Sequence, residues 1–445
     1  METNPTRMCE LLVGLPEVNV LGVDDLPGQP IVVKVESRLD EQGWCRGCGC
    51  RASIKDRDEV VLVDLPCFGR QTRLVWRKQR WRCREPLCAA TSWTVLDRRI
   101  APPRAALTDR AARWATVQVG RLGRAVSDVA DELGCDWHTV NDAVVAYGEA
   151  LLAADVDRVG AVGALGLDET LFFRKGERHL KQWATSIVDV GGAGHPPKLI
   201  DVIEGRTAAK VSDWIDKRPE PWRSAIRWGV LDMSGPYRKV FNDSLGHVTQ
   251  VADPFHVHRH ANSKVDECRR RVQNDTLGHR GRKGDPLYRS RRLLTKAHDR
   301  LDEAGDAKLM GLLEAGDPNG DVRMTWHAKE TVRTLYGIDD PADAEAFIDE
   351  LIDDMSDAEM PPEVRSLGGT LRRWRDHIVA WHRSKVSNGP TEGMNNLIKR
   401  IKRVGFGLRR FRNYRVRVLL YAGKPSWDLL AHVTPTTPGH AVSMS

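Results

Sequence analysis

The segments Ala164-Leu165-Gly166-Leu167-Asp168 and Ile226-Arg227-Trp228-Gly229-Val230-Leu231-Asp232 are two short runs that each end in an aspartate. Both runs are mainly apolar, and apolar runs of this length predict buried β-strands. Two carboxylates at strand ends can act as a pair only if the fold brings the strands together. The elements around them therefore decide how the two aspartates are arranged.

The surrounding sequence predicts three more strands and three helices. The strands cover residues 183–190, 198–203 and 248–252, and the helices cover 207–217 and begin at Tyr237 and Phe255. Three strands, a helix, a strand, a helix and a fifth strand are the order of the ribonuclease H fold. Because strands one and four are neighbours in that order, we expect Asp168 and Asp232 to lie side by side.

A third acid lies near the C-terminus, in Ser387-Asn388-Gly389-Pro390-Thr391-Glu392-Gly393-Met394-Asn395-Asn396. Residues 385–417 contain ten Lys/Arg and one acid, Glu392. An acid in the first turn of a helix can simply complement the helix dipole. Two strand-end aspartates and a helical glutamate are, however, what a two-metal phosphoryl-transfer site requires. Asp253, which ends the fifth strand, is the alternative third ligand.

The composition favours a polyanionic partner. The 445 residues predict two to four domains, and the net charge is +7. Residues 335–363 hold eleven acids and no Lys/Arg, whereas residues 269–300 and 385–417 are densely basic. This asymmetry indicates nucleic acid, although solvated helical faces would give the same runs. No apolar run reaches the length of a membrane span, so we expect no membrane partner and an intracellular protein.

Nine cysteines in such a chain favour metal ligands or free thiols over disulfides. Cys45-x2-Cys48 and Cys83-x4-Cys88 flank a segment with strand-like alternation, which predicts a zinc ribbon with one structural Zn²⁺. Such a site can hold together a domain too small for its own core. Cys50 could replace Cys48 as a ligand. The basic residues of this segment, Arg80 and Arg82 among them, could contact phosphates.

Residues 101–155 predict three helices. Thr108 can cap a first helix that runs through Gly120, and residues 126–133 form a second. Gly134 supplies a tight turn, and Asp136 caps a third helix from Trp137. This spacing is typical of a helix-turn-helix, although any three-helix bundle can mimic it. We expect His138 and Asn141 to face outward toward a DNA groove.

The predicted fold is therefore multidomain: a zinc ribbon, a helix-turn-helix, and an α/β ribonuclease H-like core interrupted by a mostly helical insertion. The predicted boundaries are 1–100 for the lead and ribbon, 101–155 for the helix-turn-helix, 160–274 for the first part of the core, 275–384 for the insertion, 385–424 for the last part of the core, and 425–445 for a flexible tail. The last part of the core carries basic residues that we expect to bind DNA, namely Lys399, Arg400, Lys402 and Arg403.

From about Cys45 to about Tyr421, the chain resembles the ISL-three family of insertion-sequence DDE transposases. The most specific parts are Gly166-Leu167-Asp168-Glu169, Val230-Leu231-Asp232-Met233-Ser234-Gly235-Pro236-Tyr237 and the segment around Glu392. The resemblance implies the core with its inserted helical domain. It also implies Asp168, Asp232 and Glu392 as the catalytic triad.

In this interpretation the triad holds two Mg²⁺ (or Mn²⁺) ions per active site, with Asp168 bridging both. The expected partner is double-stranded DNA, at the element ends and at the target, bound by a homo-oligomer in the bacterial cytoplasm, associated with the nucleoid. Two alternatives stay open. One is a DNA-binding regulator derived from a transposase with an inactive core. The other is a structure-specific nuclease that cleaves without joining.

Overall fold

The computed structural model describes residues 5–16, 18–38, 43–176, 180–191, 195–233, 235–406 and 408–435. The chain forms two compact units. One comprises Met1–Arg158 with Asn396–Ser445, and the other comprises Val159–Asn395. None of the helices in the described ranges has both the length and the apolar character needed to cross a membrane.

The N-terminal segment is a five-stranded sheet preceded by helix α1 (Pro5–Val13). Its strands are β1 (Val18–Asp24), β2 (Ile31–Ser37), β3 (Ala52–Cys67), β4 (Arg70–Cys83) and β5 (Ser92–Thr94). The order is β1-β2-β4-β3, with β5 added to β4. Strands β3 and β4 form a long hairpin that turns at Phe68 and Gly69, both of which have positive φ.

This sheet has a hydrophobic core of its own. Its buried members are Leu15, Val18, Ile31, Val33, Val35, Leu62, Leu74, Trp76, Ile100 and Ala101. The expectation of a segment too small for a core is therefore wrong. The long hairpin and the preceding strands supply enough apolar surface to pack around Trp76.

Three helices follow with the predicted caps. They are α2 (Asp109–Thr116), α3 (Val126–Leu133) and α4 (Trp137–Ala154). The Thr108 side chain accepts from Ala111 N, and Asp136 accepts from Thr139 N. Gly134, with φ of 68°, ends α3 in the left-handed conformation that glycine adopts without strain. One feature is not predicted: α2 continues as a π-helical turn over Val117–Arg121.

The second unit opens with the α/β part of the chain. Its elements are β6 (Ala164–Lys175), β7 (Leu180–Asp189), β8 (Lys198–Glu204), α5 (Ala208–Asp216), α6 (Glu220–Ser224), β9 (Trp228–Leu231), α7 (Gly235–Ser244), β10 (Thr249–Ala252) and α8 (Pro254–Leu277). The strand order is β10-β9-β6-β7-β8. Strand β6 is antiparallel to β7 and parallel to β9. Strands one and four of the series are therefore neighbours, as predicted.

Two details differ from the sequence prediction. The first strand does not end at Asp168 but continues to Lys175, because β7 extends with it as an antiparallel partner. Its parallel partner β9 is short and ends at Leu231, so Asp168 lies beyond the last β6–β9 pair. Helix α6 was not predicted, because its five residues are too few to show a period.

The described residues between α8 and the C-terminal helices form no strand. Their helices are α9 (Pro286–Thr295), α10 (Glu303–Gly316), α11 (Asp321–Leu335), α12 (Pro341–Asp354) and α13 (Pro362–Ser384). The acidic run lies largely on α12, and its acids pair with arginines of α13: Glu345 and Asp349 contact Arg375, and Asp353 contacts Arg372. Three acids of the run are therefore paired with arginines of their own unit.

The C-terminal helices are α14 (Gly389–Val404) and α15 (Phe411–Ala422). The sequence predicts a flexible tail from residue 425, but residues 425–435 are packed against the rest of the unit. Leu430 and Val433 are buried in the same cluster as Val126, Leu133 and other residues of α2–α4. Residues 436–445 of the predicted tail lie outside the described residues. The helices predicted as a separate domain at 101–155 thus share their core with the C-terminal segment.

Thr108 gives a stability test of this unit. Its hydroxyl caps α2 and also donates to Asp64 Oδ1 at 2.7 Å, in a fully buried position. Thr108→Ala removes both bonds and should lower the free energy of unfolding by about 1–2 kcal/mol. Thr108→Ser keeps the hydroxyl and should lose clearly less. Equilibrium denaturation of both variants is the measurement, and equal losses would show that the methyl group matters rather than the cap.

Candidate active site and cysteine cluster

The sheet register sets Asp168 level with Asp232. In the parallel ladder Leu165 pairs with Gly229 and Gly166 with Val230. The same offset, continued by two residues, puts Asp168 opposite Asp232. Neighbouring strands lie about 4.8 Å apart. The two carboxylates therefore lie beside each other, just beyond the paired part of β6 and β9.

Asp168 is held by two donors. The Glu169 N–H donates to Oδ1 at 2.7 Å, and Asn395 Nδ2 donates to Oδ2 at 2.6 Å. Burial raises the pKa of Asp168 to about 6, and the negative charges of Asp232 and Glu392 act in the same direction. The three acids thus share one partly buried place, where a cation would relieve their repulsion.

Glu392 lies in the first turn of α14, near enough to Asp168 for its charge to act on that carboxyl group. His256, in the first turn of α8, has Nε2 3.5 Å from Glu392 Oε1. That distance suits an ion pair but is too long for a good hydrogen bond. His256 therefore contacts the third acid itself, a contact that the sequence did not predict.

Asn395 is the functional residue that the sequence reasoning missed. Its Oδ1 lies 2.9 Å from Ser186 Oγ on β7, while its amide holds Asp168 on β6. Asn395 follows Glu392 by three residues, so both lie on one face of the helix. This spacing of three residues from Glu392 was the sequence signal that could have identified Asn395. Asn395 fixes the face of α14 that carries Glu392 against the strand that carries Asp168.

Gly166 allows α14 to come this close. A Cβ at Gly166 would lie 2.2 Å from Thr391 Oγ1 and 2.8 Å from Val190 Cγ1. Both distances are well below van der Waals contact. Thr391 is fully buried next to Glu392 in the chain. The absence of a side chain at Gly166 therefore sets the depth at which the glutamate helix packs on the sheet.

Asp253 is bound in a different way. Its Oδ1 accepts the backbone N–H of Asn388 at 2.7 Å, and the residue is 4% exposed. Burial raises the pKa of Asp253, and the Asn388 N–H opposes this rise. The carboxylate thus ties the end of β10 to the segment that leads into α14. This geometry favours a bracing role over a ligand role.

The donor set of the three acids suits hard cations. All the donors are carboxylate oxygens, which Mg²⁺ prefers, and Asp168 keeps lone pairs beyond its two hydrogen bonds. Among the described residues, only a set of cysteines brings three or more ligand atoms within 4.8 Å of one another. In the described residues the three acids do not form a set of this kind.

That cysteine set is Cys45, Cys48, Cys83 and Cys88. The sulfur atoms of Cys45 and Cys88 lie 3.7 Å apart, and those of Cys48 and Cys83 lie 3.5 Å apart. Tetrahedral Zn²⁺ with Zn–S bonds of about 2.3 Å requires sulfur separations of about 3.8 Å. These separations fit zinc, and all four thiols are free of disulfides.

A backbone N–H group points at one cysteine sulfur in each of the two knuckles. Gly47 N–H points to Cys45 Sγ at 3.4 Å, and Glu85 N–H points to Cys83 Sγ at 3.4 Å. The backbone N–H groups of Cys48 and Gly47 lower the pKa of Cys45 to about 7. Cys50 lies outside the four-sulfur set, so the alternative in which it replaces Cys48 is wrong.

The residues predicted to contact DNA lie on three elements. Five of them are exposed, namely Arg82 on β4, His138 on α4, and Lys399, Arg400 and Arg403 on α14. Two others are half-buried: Arg80, which lies 4.0 Å from Asp56, and Lys402, whose pKa burial lowers.

The prediction that Asn141 faces outward is wrong. Its side chain is 4% exposed, and its Oδ1 accepts from Asn413 Nδ2 at 3.4 Å. The C-terminal helix α15 covers this turn of α4, which a reading of residues 101–155 alone could not show.

The chain is similar to known transposases. A family of DDE transposases of the ISL3 type, described as "Transposase", matches residues 165–418, and a "zinc-finger of transposase IS204/IS1001/IS1096/IS1165" matches residues 41–88. The transposase for insertion sequence element IS1001 of Bordetella parapertussis is 24% identical over 371 residues, which are 82% of this chain and 85% of that protein. A solved Drosophila P element transposase strand transfer complex matches with a TM-score of 0.40 and 8% identity, over 73% of this chain and 94% of that one.

The first family covers more than half of the chain. The chain therefore belongs to the ISL-three (ISL3) family of insertion-sequence transposases, with its zinc ribbon at the N-terminal end.

The contact between Gly166 and Thr391 can be tested by a double-mutant cycle. Gly166→Ala should destabilise the protein by about 1–3 kcal/mol, because the new methyl group overlaps Thr391 Oγ1. Thr391→Ala alone should cost less. The double variant should be more stable than the sum of the single changes predicts, because the overlap is partly relieved.

The matched control is Gly163→Ala, whose Cβ would meet no atom within 4 Å. The measurement is the free energy of unfolding of all four variants. Strict additivity of the Gly166 and Thr391 changes would show that the two residues do not limit each other.

Proposed function

We propose that this transposase binds the ends of its own insertion sequence and catalyses DNA strand cleavage and strand transfer with Asp168, Asp232 and Glu392. The observation that carries the proposal is the convergence of these three acids, two from neighbouring strands and one from a helix packed on them. A protein that only bound DNA would have no use for three convergent carboxylates, two of which raise the pKa of the third.

The role of each residue follows from its contacts. The acids would hold two divalent ions, Mg²⁺ or Mn²⁺, which activate the attacking oxygen and stabilise the leaving one when bound. Asp168 would be one ligand, with its carboxylate plane fixed by Asn395 and the Glu169 N–H. Asp232 and Glu392 would supply the other protein ligands. His256, beside Glu392, would keep that carboxylate oriented.

The sheet order supports a ribonuclease H-like core. The five strands have the order β10-β9-β6-β7-β8, and only β7 is antiparallel to its neighbours. In this order the two aspartates come from adjacent strands. The first attack, by water, would break the phosphodiester bond at the element end and leave a 3′-hydroxyl there and a 5′-phosphate on the flanking strand. That hydroxyl would then attack a phosphodiester bond of target DNA and release a 3′-hydroxyl of the target. We expect a homo-oligomer on DNA in the bacterial cytoplasm, because two element ends must be processed together.

The helices α3 and α4 support a helix-turn-helix. They are joined by the glycine turn at Gly134, and the exposed start of α4 presents His138. Arg82 and the exposed cations of α14 would contact phosphates. Because Asn141 is buried, sequence readout would depend on the N-terminal end of α4.

The cysteine set would hold one structural Zn²⁺. It lies where the two ends of the β3–β4 hairpin meet, away from the hairpin turn. Because the rest of the sheet has its own core, the metal would order this end of the hairpin and not the whole segment.

The triad is tested by substitutions that keep shape and remove charge. Asp168→Asn, Asp232→Asn and Glu392→Gln should each lower metal-dependent cleavage and strand transfer by more than about a hundredfold, since loss of a mere orienting partner already costs about 10–100-fold. DNA binding should be kept. The assay is cleavage and joining of DNA that carries the gene with its native flanking sequence, in Mg²⁺ or Mn²⁺.

Asp253→Asn is the comparison, because Asp253 braces the fold near the same place. It should lower stability and keep substantial activity in the folded fraction. Activity in the Glu392→Gln variant together with a well-folded but inactive Asp253→Asn variant would assign the third carboxylate to Asp253. DNA binding without any cleavage or joining by the wild-type protein would favour a DNA-binding regulator.

Zinc is tested by Cys83→Ser with Cys50→Ser as the matched control. Cys83 belongs to the four-sulfur set, whereas Cys50 lies just outside it. We expect one zinc per chain in the wild type and in Cys50→Ser, and loss of the metal in Cys83→Ser. Elemental analysis of the purified proteins decides, and full metal content in Cys83→Ser would remove this set as the zinc site.

A further inference from the structure

A groove opens beside Asp232 between two helices of the second unit. One wall is a single face of α8, formed by His256, Arg259, His260 and Ser263 at helical spacing. The other is a single face of α13, formed by Thr370, Arg373 and Trp374. The cavity measures about 460 Å³, within the range of about 300–1,000 Å³ that is usual for ligand sites.

The two arginines of this groove differ from their neighbours. On α13, Arg372, Arg375 and Arg383 pair with acids of α12. Arg373 points the other way, and its guanidinium donates to the Thr370 hydroxyl at 3.1 Å. Neither Arg259 nor Arg373 has an ion-pair partner in the part of the chain that the structure describes, and both are exposed. Their positive charges therefore remain available to a ligand.

The other polar groups of the groove can also meet an anion. His260 Nε2 is buried and makes no hydrogen bond to any described residue, and burial lowers the pKa of His260. A neutral imidazole can donate one N–H without repelling the arginines. Hydroxyls of Ser263 and Thr370 line the same space. Among the described lining residues, Asp232 is the one acid, and it stands at the end nearest the triad.

Met233 adds an independent observation. It follows Asp232, lines the groove and has φ of +63°, a conformation that a side-chain-bearing residue rarely adopts. Backbone strain of this kind costs about 1–3 kcal/mol and is concentrated at functional sites. Here it lies at the junction of the triad and the groove.

We propose that the groove between α8 and α13 binds the phosphodiester backbone of the DNA strand next to the cleaved bond, with Arg259 and Arg373 as its phosphate contacts. The proposal rests on the proposed strand cleavage, because Asp232 joins the groove to the triad. The arginines leave α8 and α13 from facing walls, so one strand lying along the groove meets both. Charge-assisted hydrogen bonds to phosphate suit a guanidinium better than any other side chain.

The test compares two double variants of the full chain. Arg259→Ala/Arg373→Ala removes the two groove charges. Arg270→Ala/Arg372→Ala removes two charges from the same helices outside the groove, where each arginine faces an acid. Net charge is thus matched. Asp232→Asn is measured alongside, since its activity reports on the proposed function itself.

Two readouts are taken on each protein. The first is the salt dependence of binding to a labelled oligothymidylate without divalent metal. Loss of two phosphate contacts should reduce the slope of log affinity against log salt by about 1.4 in the groove variant relative to its control. The second is cleavage of DNA carrying the gene with its native flanks, which should fall about tenfold or more in the groove variant only.

Equal behaviour of the two double variants, with Asp232→Asn inactive, would overturn the groove assignment and leave the proposed function standing. An active Asp232→Asn would instead remove the proposed function. A groove variant with reduced cleavage and an unchanged slope would overturn the phosphate role. If the alanine variant does not fold, Arg259→Gln/Arg373→Gln keeps the side-chain length and should show the same loss of slope.

Discussion

The packing of α14 on β6 is the contact on which the rest of the second unit depends. Gly166 lets Thr391 reach the strand, and Asn395 then bonds Asp168 and Ser186 one turn further along the helix. The helix cannot move without breaking a buried hydrogen bond, which costs more than the bond itself contributes. Glu392 is therefore held at a fixed height above the two aspartates.

This arrangement carries an electrostatic cost. Three acids and few compensating charges lie in one partly buried place, and the pKa of Asp168 rises accordingly. Such repulsion weakens the metal-free state and favours cation binding, so the same feature that destabilises the site makes it selective for positive charge. The Asp253 carboxylate accepts a hydrogen bond from the Asn388 N–H, and His256 contacts Glu392. Both residues thus hold the segments around the three acids.

Charge is also partitioned within the second unit. The acidic residues of α12 neutralise one side of α13, while the opposite side leaves Arg373 exposed to the groove. Part of the acidic run of residues 335–363 thus makes its ion pairs inside the protein. It sets which arginines of α13 remain available for an anion.

The sequence by itself determined the features that depend on residues a few positions apart. The caps at Thr108 and Asp136, the glycine turn at Gly134, the cysteine knuckles and the five strands are of this kind. Only the tertiary structure decided that Asn395 meets Asp168, 227 positions away, that Asn141 is buried under α15, and that residues 425–435 pack in a core. The physical reason is that caps, turns and periodicity act through the local backbone, whereas these contacts depend on which faces pack together, and faces far apart in the chain leave no periodic signal.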